Sequence, residues 1–489
     1  MERIELKEKT VSTAIFQFIF PFFIKDDNEQ NIFSFLRKNH FTAFRLGHLE
    51  DETAYYGESH VSHRELEAFF PPFTNKILFP HSDQQKGFQR YSKALNLKGI
   101  LTTEHIRLSF QVHSTDITLC PFQLGFLTLR TELPCSEDLS FSHALEFAAC
   151  FRELGSQKSK QKKLQMEMDG RTITHLEKLL FEVLVPELTH FINKEPFQGV
   201  YFKTIPYIEQ ERMHVQSLLA FNEGETVETI DIYRAANLCG LNQDGEPYVT
   251  ANNLDYINQR FKQNGYTRLA PNTYYFIEEN GFTCITNEND EIKTELASQL
   301  YGEFYYLLLL NLFHKFVFIK IAHDYSKINI EQDSKEIEKL IYSINSFTSN
   351  YFFLVYPAQL QSKELFTLLR TTFSIDYLYN ETKETLFSLF KYEENTVTKR
   401  DSFLLLILTI YTVICGIFSM NLFTDDLKGK IKWHHMLSYN LFEYLAVFVA
   451  ISGLIVAIIL GIQGLIQGMK DRRNKKKWAR QTVLSSKKH

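Results

Sequence analysis

The chain has 489 residues, 44% of them hydrophobic, with 53 basic and 58 acidic side chains and a net charge of −5. That length has room for two or three domains and that apolar share buries a substantial core, while the acidic balance argues against direct binding of DNA or RNA. Cys120, Cys135, Cys150, Cys239, Cys284 and Cys415 have no CxxC or paired spacing, which argues against a disulfide framework.

Over roughly the first 135 residues short β-like runs alternate with polar turns: AIFQFIFPFFI (14–24), HIRLSFQVH (105–113) and ITLCPFQLGFLTLRTEL (117–133). Helices are predicted over about 138–154 and 171–193, either side of an exposed polar stretch from Ser156 to Lys163. GVYFKTIPYI (199–208), MHVQSLLAF (213–221) and NTYYFIEENGFTCIT (272–286) predict further strands, which complete an N-terminal α/β cytoplasmic body over 1–292. From 293 to 400 apolar residues recur at helical spacing with a single proline, Pro357, and predict a stalk of long helices. One helix is expected over 294–328 and another over 334–354. A third, over 363–401, has no clear stop before the next segment. The run YYLLLLNLF (305–313) is too short to cross a bilayer and is bounded by Glu303, His314 and Lys315, so it reads as a buried helix.

Residues 401–423 read as a first transmembrane helix, since FLLLILTIYTVICGIFSMNLF (403–423) lacks any charge and as a helix is about 31 Å long. An outer loop (424–443), a second span (444–469) with Gly453, Gly461, Gly464 and Gly468, and a basic tail (470–489) follow. From Lys399 onward there are 14 basic and 5 acidic residues, a charge of +9, against −14 before it. Lys399, Arg400 and the tail cluster Lys470, Arg472, Arg473, Lys475, Lys476, Lys477 and Arg480 put both termini on the cytoplasmic side of the inner (plasma) membrane, with the tail facing anionic lipid. Glu2, Glu5 and Glu8 open a start unlike a signal peptide, which leaves insertion to the hairpin. The expected fold class is α+β, with an α/β cytoplasmic domain, long stalk helices and a C-terminal two-helix transmembrane hairpin.

The sharpest local signal is Gly416-Ile417-Phe418-Ser419-Met420-Asn421, where a polar triplet closes the apolar segment. Asn421 reads either as a helix C-cap or, repeated around an oligomer, as a ring of carbonyl oxygens at a pore mouth, suited to a hydrated hard cation. Counting back from it at helical spacing gives Ile417, Thr412 or Val413, Thr409, Leu405 or Leu406, and Ser402. Thr409 and Thr412 either line the pore or bond back to a carbonyl one turn earlier, and Leu405 is the candidate hydrophobic constriction. Asp401, beside Lys399 and Arg400, rings the inner entrance or forms an interfacial salt bridge; Asp425 and Asp426 stand at the outer mouth, followed by Lys428, Lys430 and Lys432.

Elsewhere His60 and His63 with Glu65 and Glu67 are ligand types, but spacing fixes no third ligand. Lys158, Lys160, Lys162 and Lys163 suit a solvated loop, and Trp433 with His434 and His435 suits a headgroup anchor. With no P-loop, GxSxG or zinc ribbon, the chain does not read as an enzyme, and no cofactor is expected.

Placement and flanks over about 293–480 together resemble the CorA family of magnesium transporters, most closely in SNYFFLVYPAQLQSKELFTLLRTTFSIDYLYNETKETLFSLFKYEEN and the following TVTKRDSFLLLILTIYTVICGIFSMN. The resemblance implies a homopentamer whose first spans line a central pore, with Mg²⁺ as the transported and regulatory ion. Ser419 replaces the family's glycine, and the outer loop lacks its Met-Pro-Glu-Leu-like stretch. Relatives that occur beside type III CRISPR systems imply an alternative: a membrane effector of antiviral defence, gated by a nucleotide second messenger such as an adenylate.

Overall fold

A computed structural model of the chain describes residues 4–25, 29–83, 85–135, 139–155, 163–193, 212–329, 333–352, 357 and 359–426, together with 441, 444, 448, 451, 452 and 455. Aromatic and β-branched residues crowd the first strand, β1 (Val11–Phe23), and its burial is continuous instead of alternating. Such a strand must be covered on both faces. It is central to a sheet whose other members are β2 (Thr42–Ala43), β3 (Gln89–Thr102), β4 (Arg107–Cys120), β5 (Leu124–Glu132), β6 (Gln165–Met168), β7 (Arg171–Ile173), β8 (His214–Phe221), β9 (Gly265–Tyr266), β10 (Thr273–Glu278) and β11 (Gly281–Thr286). The order is β7-β6-β3-β4-β5-β1-β8-β11-β10-β9, with β2 added beside β3. Only β8 and β11 pair in parallel among the described strands.

The period of two along β1 sends its residues to two different environments. Phe16 and Phe18 pack on Phe147 and Phe151 of the helix Phe141–Phe151, with ring centroids 5.9 and 4.8 Å apart. Gln17 faces the other way, and its amide donates to the Leu300 carbonyl at 3.0 Å. Two helices, Asp290–Tyr301 and Glu303–Ser326, cover that second face. The latter is buried around its whole circumference from Phe304 to Phe318, as a core helix must be. The stretch Asp290–Ser326 is the one helical stretch among the described residues long and apolar enough to cross a membrane, yet 89% of its most apolar window is buried inside the protein.

Several element boundaries differ from the sequence expectation. The stretch 294–328 is two helices, not one, because Gly302 (φ −95°, ψ −106°) leaves the helical region between them. The segment 171–193 is β7 followed by short helical turns over 176–184 and 188–190, not a long helix. The run 117–133 is the end of β4, a corner at Pro121–Gln123 and β5; Phe122 and Gln123 make the corner with φ of 63° and 59°. Likewise the third stalk helix begins as Leu360–Thr372, stops at Ser374 (φ 55°), and restarts as an unbroken helix from Ile375 to Asp426. The strand expected at 199–208 lies outside the described residues.

The chain is mixed α+β and divides into two compact units, one gathering 1–327 with 343–382 and the other 328–342 with 383–480. The change of character at 292/293 is therefore one of element type, since the helices from Asp290 to Ser326 belong to the same unit as the sheet.

Candidate functional site

All the residues singled out in and around the first span, Asp401, Leu405, Thr409, Thr412, Ile417, Ser419, Met420, Asn421, Asp425 and Asp426, lie on the single helix Ile375–Asp426. Thr409 donates to the Leu405 carbonyl and Thr412 to the Leu408 carbonyl, each at 2.7 Å, so both hydroxyls bond back one turn within their own helix. Thr398 does the same to Glu394. The helix continues past Asn421 to Asp426, which removes the C-cap reading of that asparagine. The side chains of Asp401, Ile417, Ser419, Met420, Asn421, Asp425 and Asp426 lie outside the described set, as do the outer loop from 427 to 440, nearly all of 444–469 and the tail.

Helical continuity also corrects the face assignment. At about 100° per residue, Asp401, Leu405, Thr409, Thr412, Gly416 and Ser419 share a stripe about 80° wide. By the same phase Ile417 and Asn421 stand about 120° and 160° from Leu405. Counting back in steps of four drifts by about 40° each time, so Asn421 does not share a helix face with Thr409 and Thr412.

The histidine cluster resolves into a loop lock. Glu52 accepts from the His63 backbone N–H at 2.6 Å and pairs with His60 Nε2 at 3.1 Å, while the Gly47 N–H donates to His63 Nδ1 at 3.2 Å. The His63 N–H bond is the main reason the Glu52 carboxyl sits below its ordinary pKa, and burial lowers that of His63. No group of three or more His, Cys, Asp or Glu among the described residues is arranged to hold a metal. Lys163 pairs with Glu104 at the surface; Lys158, Lys160 and Lys162, like Trp433, His434 and His435, lie outside the described residues.

Sequence reading missed a buried charge network under the core helix. Asp116 Oδ2 lies 2.8 Å from Arg90 Nε and 2.6 Å from Arg130 Nη2, with all three side chains almost or wholly excluded from solvent. Cross-strand register assembles it: Ser92 stands opposite Asp116, Asp116 opposite Thr128, and Arg130 opposite Gln17. The second arginine charge is met by aromatic groups. Arg90 donates to the Tyr306 and Tyr56 hydroxyls at 3.0 Å each and stacks 4.3 Å from the Phe44 ring; Arg130 lies 5.1 and 5.2 Å from the Tyr56 and Tyr305 rings. Burial by itself would raise the Asp116 pKa, but Arg130 and then Arg90 outweigh it and hold the carboxylate below its usual range. Its chemistry is that of a tie between β3, β4, β5 and the helix Glu303–Ser326. No single segment could have revealed it, because Arg90, Asp116 and Tyr306 are far apart in sequence.

No family model matches the chain, and neither a curated protein nor a solved structure matches it.

Proposed function

We propose that the chain is a CorA-like homo-oligomeric membrane channel, pentameric by that resemblance, which passes divalent cations, Mg²⁺ first among them, and is gated by its cytoplasmic body. The supporting observation is the segment Ser402–Val413 of the long helix, a short apolar helix whose large side chains are exposed all round: Phe403 at 61%, Leu405 at 67%, Leu406 at 57% and Leu408 at 65%. Such a continuous apolar surface is costly in water and is satisfied by lipid or by other copies of the helix. Together with the uncharged run to Phe423 it is long enough for a hydrocarbon core of about 30 Å. The second span, 444–469, completes the hairpin in this reading, with both termini in the cytoplasm.

The hydroxyl-bearing stripe of Ser402, Thr409 and Thr412 faces the pore, with Leu405 as its bulky constriction and Asp401 at the inner entrance. Asn421, with Asp425 and Asp426, lies at the outer mouth, where several copies of the helix converge.

Flux of Mg²⁺ into liposomes carrying the purified chain tests the reading, comparing the wild type with Asn421→Ala and Thr412→Val. Entry without any added nucleotide, reduced by Thr412→Val on the pore face, supports a constitutive transporter, and Asn421→Ala tests the outer mouth separately. A membrane that stays tight until an adenylate messenger is added replaces that reading with the nucleotide-gated effector. No flux under either condition rejects both.

A further inference from the structure

The helix Phe141–Phe151, which packs on β1, starts from the N-cap Ser140, and its N-terminus carries the partial positive charge of the aligned peptide dipoles. A carboxylate from outside the helix lies on it. Glu8 Oε1 accepts from the Ser140 hydroxyl at 2.7 Å and from the Ser142 N–H at 2.9 Å, and Glu8 Oε2 accepts from the Ser142 hydroxyl at 2.5 Å. Behind Ser142 stands Arg234, 0% exposed. Its Nη2 donates to the Ser142 hydroxyl oxygen at 2.6 Å, and its Nε donates to the Cys239 and Tyr248 carbonyls. Its Nη1 is buried with no hydrogen-bond partner among the described residues. Burial lowers the Arg234 pKa, and Glu8 is the foremost charge opposing that shift. The other carboxylate acting on Arg234, Asp231, is taken up by Lys9 at 2.5 Å.

We infer that this helix N-terminus is a binding site for a phosphoryl dianion, free phosphate or a phosphate monoester, which displaces Glu8 from it. A carboxylate has only a pair of oxygens, and both are used here, which leaves the buried Nη1 without an acceptor. A phosphoryl group brings a further acceptor oxygen and more negative charge. It can repeat the Glu8 contacts and still offer an oxygen to Nη1, beside a guanidinium and a helix N-terminus that both favour an anion. Glu8 is exposed and can turn into water. The chain just beyond it stays anchored: Lys9 Nζ donates to Asp231 and to the Thr226 carbonyl, and the Phe141 N–H donates to the Lys9 carbonyl at 2.8 Å. Exchange therefore needs a side-chain rotation and leaves β1 in place.

The test is calorimetric titration of the full-length chain in detergent with inorganic phosphate, phenyl phosphate and acetate. The wild type must expel its own carboxylate, so Glu8→Ala should bind phosphate about tenfold or more tightly than the wild type does. Glu8→Gln, which keeps the size of the side chain without its charge, should fall between the two. In Glu8→Ala, acetate should bind about tenfold or more weakly than phosphate, having no oxygen to spare for Nη1. Adding Ser140→Ala should weaken phosphate binding again. Phosphate binding alone identifies the free ion as the ligand, and phosphate and phenyl phosphate binding alike identify a monoester; both uphold the site. Absence of binding to Glu8→Ala and Glu8→Gln up to about 10 mM, or binding indifferent to Ser140→Ala, overturns it. Equal affinity in the wild type and Glu8→Ala overturns the displacement of Glu8, and acetate bound as tightly as phosphate overturns the role of Nη1. These readouts do not depend on ion flux, so the anion site and the channel reading fail separately.

Discussion

Replacing Asp116 by asparagine keeps the shape of the side chain and deletes the carboxylate that meets both Arg90 and Arg130. Each pair, taken as charges centred about 4 Å apart, attracts by about 4 kcal/mol at an effective dielectric constant of about 20, and after the change two buried guanidiniums repel with no counter-charge between them. Removing one partner of a buried ion pair costs about 3–5 kcal/mol, and here two pairs share the lost partner, so the upper part of that range is expected. Urea unfolding of the full chain in detergent, followed by circular dichroism at a helical wavelength, would show it. With a slope of about 3 kcal/mol per M, the midpoint should fall by roughly 1.5 M. The triple change Arg90→Met, Asp116→Val, Arg130→Leu removes every charge at once and should recover most of the loss, because an apolar replacement of a buried ionic cluster is often neutral. A midpoint moved by less than about 0.3 M in Asp116→Asn, or a triple variant less stable than the single one, refutes the account.

Burial, reinforced by Glu65 and Glu295, raises the Glu303 carboxyl to about 7. Its folded pKa therefore lies above the unfolded value, so stability is greatest below about pH 4.5 and declines as pH rises toward 7. Glu303→Gln should flatten the thermal midpoint between those limits and gain up to roughly 3 kcal/mol at pH 8. His314, held neutral by burial with its pKa lowered to about 3, meets the Tyr351 carbonyl at 2.9 Å. The sign is opposite: its contribution is present above pH 6.5 and is lost as pH falls toward 3, so His314→Gln should reduce acid sensitivity across that window in a pH series of unfolding midpoints. In β5, a methyl group on Gly125 would collide with the fully buried Phe22 ring; Gly125→Ala should cost about 1–3 kcal/mol by urea unfolding.

Patterning carried the sheet furthest where one strand could declare itself alone. The unbroken apolar run of β1, the run of β8 and the strands β10 and β11 lie close to where the sequence put them, and the run at 305–313 is part of a buried helix whose burial continues past His314 and Lys315 to Phe318. Patterning failed where a backbone bend had no compositional mark. Phe122, Gln123 and Ser374 turn the chain with positive φ although none is glycine, and the one glycine that does break a helix, Gly302, sits in a run whose apolar periodicity continues across it. The short helices at 63–78 were likewise hidden, being too brief for a helical period to accumulate. As for the candidate residues, the sequence put 401–421 on a helix, as the structure does, but misjudged their angular phase, since an error of about 40° per step grows unnoticed until a continuous helix fixes it. The Arg90–Asp116–Arg130 tie was illegible for another reason: a lone charge in a strand reads as solvent-facing until the covering helix is known.

The long helix has a mechanical consequence. Its 52 residues make a rod of about 78 Å, and it starts directly after the left-handed Ser374. Pivoting such a rod by about 5° at that end sweeps its far end through about 7 Å. A shift of about 0.5 Å one helical turn from the bend corresponds to about 7 Å at Asp426, a lever whose arm is set by the number of residues between the bend and the tip.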